Sequence, residues 1–179
     1  VAREALKTVS ASEDARADAD FLLAFKENDF TEALVRAAGA VIDPLADEET
    51  VVQGGRFVVN VRAFLPEGST AKVTSATLRT PTGWTVEPAA PAVANPGRGG
   101  GGGGGPFGRQ EVASAETRLS VTVPATAPPT QPYFVEEPRR GDQYNWTSEV
   151  RGLPFAPPLV TADVTMEIGR ATVTVSRPV

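Results

Sequence analysis

Cysteine and histidine are both missing from the chain. The first absence removes any disulfide framework and any thiolate nucleophile or metal ligand; it does not fix a compartment. The second is more restrictive, because histidine is the usual near-neutral acid/base group and the usual zinc ligand. A Ser-His or Cys-His nucleophile is excluded, and metal chemistry would have to rest on carboxylates alone. No apolar run approaches the roughly 20 residues that a membrane-spanning helix needs. There is no basic stripe either. With 17 Lys and Arg against 22 Asp and Glu, the net charge is -5, which argues against nucleic acid as a partner. No basic-then-apolar leader pattern follows Val1. Val1 stands where an initiator Met would, which suggests a processing or cloning boundary.

What remains is ordinary globular material: 179 residues, 41% hydrophobic and 22% charged, enough for one medium domain with a small appendage. Two textures divide it. Residues 1–45 are rich in Ala, Glu, Asp and Leu. Ser10 and Glu13 have capping-box spacing. Ala15, Ala19, Leu22 and Leu23 then recur at helical spacing, and Phe21 and Phe25 widen that face. Asn28-Asp29 interrupts, Asp29 and Glu32 repeat the cap logic ahead of Leu34, Val35 and Ala38, and Gly39 suits a left-handed helix end. The reading is a helical hairpin closed by Asp43-Pro44.

Beyond Thr50 the period becomes two. In RFVVNVRAFL, Phe57, Val59, Val61, Ala63 and Leu65 share a face, and Arg56, Asn60 and Arg62 take the other. TRLSVTV turns Leu119, Val121 and Val123 inward, and DVTMEI does the same with Val164, Met166 and Ile168. Gly169-Arg170 is a Gly-X hairpin loop leading into ATVTVS. Thr80-Pro81-Thr82-Gly83 is a turn, with Pro at its second position and Gly at its fourth. Half-polar strands joined by Pro and Gly turns predict an immunoglobulin-like antiparallel β-sandwich over 46–179, preceded by the hairpin over 1–45. The glycine run Gly99–Gly105, within a Gly-rich loop at 97–108, ends in Gly-Pro-Phe and not in the Gly-Lys-Ser/Thr of a phosphate-binding loop. It is expected to be a surface loop.

Few constellations carry chemistry. Asp18 and Asp20 diverge on a helix, and Glu136 and Glu137 would diverge on a strand. Both pairs, and the run Asp47-Glu48-Glu49, are expected to be solvated surface. No calcium-loop pattern occurs, so no cofactor or metal is expected. Asn145-Trp146-Thr147 fits a glycosylation triplet, a common chance match. The densest stretch is TQPYFVEEPRRGDQYNW. Trp84, Tyr133, Tyr144 and Trp146 would offer rings to a sugar, with Arg139, Arg140 and Asp142 beside them to bond hydroxyls. The opposing expectation is architectural: Tyr133 and Phe134 alternating across a strand, prolines at its ends, a turn at Arg139–Asp142, and a stiff connection through LPFAPPL (Leu153–Leu159) carrying the chain between sheets.

Four segments occur in an order that resembles a known family: TPTGWTVEP (Thr80–Pro88), VTVPATAPPTQPYF (Val121–Phe134), PRRGDQYNW (Pro138–Trp146) and VTVSRPV (Val173–Val179). They resemble the non-catalytic region behind the deacetylase domain of large bacterial LmbE/PIG-L-like proteins, zinc-dependent N-acetylglucosaminyl deacetylases. The Gly-Trp strand followed by VTVPATA is also similar to immunoglobulin-like accessory domains of bacterial α-galactosidases. The family's zinc motif, His-Pro-Asp-Asp with a later His, has no counterpart here. The resemblance therefore implies a non-enzymatic accessory piece of a longer exported protein, periplasmic or extracellular. It would space or dock the catalytic domain and have the parent's other domains as partners. A stand-alone carbohydrate-binding module and a subunit of a surface assembly paired through strand edges are the alternatives.

Overall fold

The structure, a computed structural model, describes residues 2–90, 113–145, 150 and 152–179. The glycine run and Trp146 lie outside them. Two helices, α1 (Ala2–Leu6) and α2 (Glu13–Ala37), precede seven strands: β1 (Val41–Ala46), β2 (Arg56–Phe64), β3 (Lys72–Arg79), β4 (Thr85–Pro88), β5 (Ala115–Thr122), β6 (Thr161–Ile168) and β7 (Ala171–Pro178).

The strands form two antiparallel sheets, β1-β2-β5-β4 and β3-β6-β7. With β1 to β7 in the places of strands A to G, this is the strand order of a constant-type immunoglobulin sandwich. In antibody domains a disulfide joins strands B and F. Here the corresponding strands, β2 and β6, meet through Val59, Val61, Val164 and Met166, all within one buried cluster. The inward residues alternate as the sequence predicts, and the polar ones form cross-strand pairs outside. Asn60 donates to Glu116 at 2.7 Å, Arg79 pairs with Asp163 at 2.7 Å, and Thr165 meets Thr174 at 3.0 Å. The Gly169-Arg170 loop is present, Ile168 pairing with Ala171 across a glycine at φ 62°.

The helical segment departs from expectation. α2 is one 25-residue helix, without a break at Asn28-Asp29. The Asn-Asp step costs only ~0.5 kcal/mol per residue, and the Ala, Leu, Glu and Lys around it carry the helix through. Asp29 caps nothing; Lys26 pairs with it at 3.0 Å. The hairpin turn lies earlier, between α1 and α2, and the cap is Ser12, not Ser10. The Ser12 hydroxyl accepts from the Ala15 N–H at 3.3 Å, with Glu13 and Asp14 in the first turn. The expected face is also exposed in part: Phe21, Leu22 and Phe25 face solvent, and Val35 is the helix residue that enters the core. Arg177 of β7 holds Glu32 with two hydrogen bonds, 2.7 and 2.9 Å.

Gly39 ends the helix as expected, at φ 67°. Its N–H bonds the Arg36 carbonyl and that of Ala40 bonds Val35, a Schellman closure. Asp43-Pro44 does not close the segment. It lies inside β1, so the sheet begins at Val41, ahead of the division placed at residues 45 and 46. Pro44 is tolerated because β1 is an edge strand, where one side needs no ladder donor.

Candidate functional site

Three connections cross from one sheet to the other: β2 to β3, β3 to β4 and β5 to β6. The second and third of these build a cleft of about 690 Å³. On one wall, Gly83 at φ 87° lets the chain turn so that the Trp84 N–H reaches the Pro81 carbonyl at 3.2 Å. The glycine therefore takes the third position of a Pro81–Trp84 turn, not the fourth of a turn starting at Thr80. Trp84 is half-buried and edge-on to Phe57, ring centroids 6.3 Å apart at 84°, so the core fixes its plane.

The opposite wall is the β5–β6 connection. Gln53 donates to the Ala127 carbonyl and ties its first bend to the sandwich. Pro128 and Pro129 follow, stiff by their fixed φ. Tyr133–Val135 is a 3-10 turn and not a strand. This corrects the expected alternation of Tyr133 and Phe134 across a sheet. The cause is local: Pro132 supplies a carbonyl but no donor, and its carbonyl accepts from the Val135 N–H at 2.9 Å. The Tyr133 hydroxyl donates to the Leu153 carbonyl at 3.0 Å, anchoring this turn to the LPFAPPL segment. The same connection carries the chain from the sheet of β5 to that of β6, as the sequence suggests.

The change from strand to helical turn also relocates two carboxylates. Glu136 has φ -63° and ψ -35°. In helical backbone successive side chains are about 100° apart, not opposed as in a strand. Glu136 and Glu137 both line the cleft, together with the polar Thr130, Gln131 and Asn145. Asn145 is held by its amide donating to the Pro138 carbonyl at 3.1 Å.

The residues singled out from sequence separate into groups. Trp84 and Tyr133 share the cleft. Tyr144 and Arg139 stand beside it: Phe134 packs edge-on to both Tyr133 (5.6 Å) and Tyr144 (5.9 Å), and the Arg139 guanidinium lies 5.8 Å from the Tyr144 ring centre. Arg140 and Asp142 belong to a tight turn closed by reciprocal 3.0 Å bonds between Arg140 and Gln143, with Gly141 at φ 61°. The turn is the one its composition predicts; it leaves both side chains exposed and outside the cleft lining. Trp146 falls outside the described residues. Nothing in the sequence pattern marks Glu136, Glu137, Gln131 and Asn145 as binding residues. The Pro132 before the aromatics was the available signal that the strand reading fails there.

A second opening, about 740 Å³, lies between α1 and α2. Most of its charged lining is already paired: Arg3 holds Asp20 at 2.7 Å and reaches Glu27 at 3.4 Å, and Lys7 holds Glu4 at 2.8 Å. Arg3 lowers the Asp20 carboxyl below its ordinary range, first by hydrogen bonding. This opening offers no aromatic ring. Among the described residues, no group of three or more carboxylates is placed to hold a metal ion, and no helix is long and apolar enough to cross a membrane. No protein-family model matches the chain, and neither a curated protein nor a solved structure matches it.

Proposed function

We propose that this chain is a non-catalytic accessory module of an exported, deacetylase-like carbohydrate-active protein, and that its own contribution is to hold carbohydrate in the cleft between Trp84 and Tyr133. The carrying observation is that cleft. Two aromatic side chains from different inter-sheet connections line it, beside carboxylate and amide groups. An apolar concavity with a few fixed polar groups, within the usual range of about 300–1,000 Å³, is the form small-ligand sites take. Ring faces suit the C–H faces of pyranoses, and the Glu, Gln and Asn side chains suit their hydroxyls. The resemblance of the four segments to the region behind a deacetylase domain supports the accessory role, and the lack of histidine and cysteine supports a non-catalytic one.

The assembly reading has less behind it. Three of the four edge strands are blunted: β1 carries Pro44, β4 is four residues long and ends in Pro88, and β3 is bulged between Val73 and Ser75; the fourth, β7, is tied to α2 by the Arg177–Glu32 pair. The test is titration of the protein with soluble β-1,4-linked oligosaccharides, followed by indole fluorescence and calorimetry. Saturable binding that Trp84→Ala and Tyr133→Ala each weaken at least about tenfold is expected, since aromatic platforms dominate such sites. Equal binding by wild type and both variants would remove the cleft as the site, and no binding at all would remove the carbohydrate role.

A further inference from the structure

The cleft has a charge as well as a shape. Its lining includes the two carboxylates Glu136 and Glu137 and, among the described residues, no lysine or arginine. The nearest cation singled out by the sequence, Arg139, is turned to the Tyr144 ring. Two aromatic side chains, Trp84 and Tyr133, are also in the lining. A neutral sugar would use the rings and the hydroxyl acceptors but gain nothing from the charge. An anionic sugar, a uronate or a sulfated residue, would be repelled. A sugar carrying a free ammonium would use every feature at once: a carboxylate for the charge and donors, and a ring face for a cation–π contact at up to about 6 Å.

Resting on the carbohydrate reading above, we propose that the ligand is an amino sugar with its amine free and protonated, such as a stretch of β-1,4-linked glucosamine, and that Glu136 and Glu137 are the specificity-determining residues. Acetylating the amine removes the charge and adds bulk, so the N-acetylated form is the discriminated competitor. Specificity here is a difference of affinities. It comes from exposed carboxylates, so it is moderate and weakens as salt screens it.

The experiment compares a glucosamine tetrasaccharide, its fully N-acetylated counterpart and a β-1,4-glucose tetrasaccharide by calorimetry, at low and high ionic strength. The free-amine ligand is expected to bind about tenfold tighter than the other two at low salt, the range that two exposed ion pairs supply. The preference should shrink at high salt and when the pH is raised enough to deprotonate the amine. Glu136→Gln/Glu137→Gln is expected to lose the preference while keeping the affinity for the neutral sugars. The charge-matched Asp14→Asn/Asp18→Asn variant, altered on α2, should keep it; if it too loses the preference, the effect is that of an acidic protein and not of this cleft, and the proposal fails. Equal affinity for the three sugars overturns the amino-sugar proposal and leaves the carbohydrate reading standing. Absence of binding by all three overturns both. A preference that survives in Glu136→Gln/Glu137→Gln overturns the assignment of those residues.

Discussion

Single residues set the limits of this fold in different ways. Gly39 combines a left-handed φ of 67° with a neighbour where a Cβ would stand, Pro66 Cγ at 2.6 Å. Gly169 has a similar φ of 62° and open space around it. Gly169→Ala is therefore expected to destabilise by about 1 kcal/mol, the conformational term alone, and Gly39→Ala by about 2 kcal/mol or more. Paired urea melts measure this, and equal losses would show that the Pro66 contact is relieved without penalty. The Glu32–Arg177 pair joins α2 to β7, each side chain 27% exposed. Hydrogen bonding by Arg177, then its charge, holds the Glu32 carboxyl below its ordinary value of about 4.5, against some desolvation. A carboxyl depressed in the folded state contributes stability that is complete above its unfolded pKa and is lost as pH falls through its folded one. Glu32→Gln is thus expected to cost about 1 kcal/mol at neutral pH, the modest range for a partly exposed charged pair. The gap between wild type and variant should close as pH drops below about 4.5, when the wild-type carboxyl takes up its own proton. A gap that stays constant down to acid pH would mean that the pair's charge contributes nothing.

At the level of elements, α1 and the sandwich are held by different forces. α1 meets α2 through exposed ion pairs and buries none of its residues, whereas α2 sends Val35, 1% exposed, into the core. Exposed pairs contribute little. Removing residues 1–10, which takes away α1 and spares the Ser12 cap of α2, is expected to leave the thermal midpoint within about 2 °C, while Val35→Ala, which opens a cavity, should lower it by several degrees. A large loss on removing α1 would place it among the structural elements. The same contrast explains what the sequence shows and what it hides. β2, β5 and β6 are legible because one face is buried and the other is not, so Phe57, Val59 and Val61 alternate without interruption. β3 escapes notice because a bulge after Val73 shifts its register, and the half-buried Ala76 and Leu78 fall out of phase with Val73. β1 is hidden by Pro44, which reads as a terminator yet sits on an edge. α2 looks broken at Asn28-Asp29 because caps and helix interiors share residue types, and only the docking of Val35 and Glu32 decides between them. In the cleft, Trp84 and Tyr133 are visible as aromatics, but their meeting is not. It depends on two connections from opposite sheets, far apart in sequence, and Glu136 and Glu137 join them only because Pro132 and the turn after it replace a strand.

Over the whole molecule, cleft and core are coupled in one direction. Both walls hang from the sandwich: Trp84 leans on Phe57, and Ala127 is held by Gln53. The walls exist only while the sheets are packed, so a ligand of the cleft binds the folded chain and not the unfolded one. Mass action then requires that saturating ligand stabilise the protein, by about 2.7 kcal/mol at one hundred times its Kd. The reverse coupling is weak, since no cleft side chain belongs to the fully buried set led by Met166. Met166→Ala, which empties the centre of the core, is expected to cost about 2–5 kcal/mol. At temperatures where that variant is still folded, it should keep wild-type affinity and show the same ligand-induced gain. Trp84→Ala should show the opposite pattern: a smaller loss of stability, because Trp84 is only half-buried, and no gain on adding ligand. Thermal melts of the three proteins with and without a free-amine glucosamine tetrasaccharide separate the two patterns. Stabilisation that persists in Trp84→Ala would place the ligand elsewhere on the molecule. Loss of stabilisation in a folded Met166→Ala would mean that the walls of the cleft depend on the packing of the distant core, and not merely on its presence.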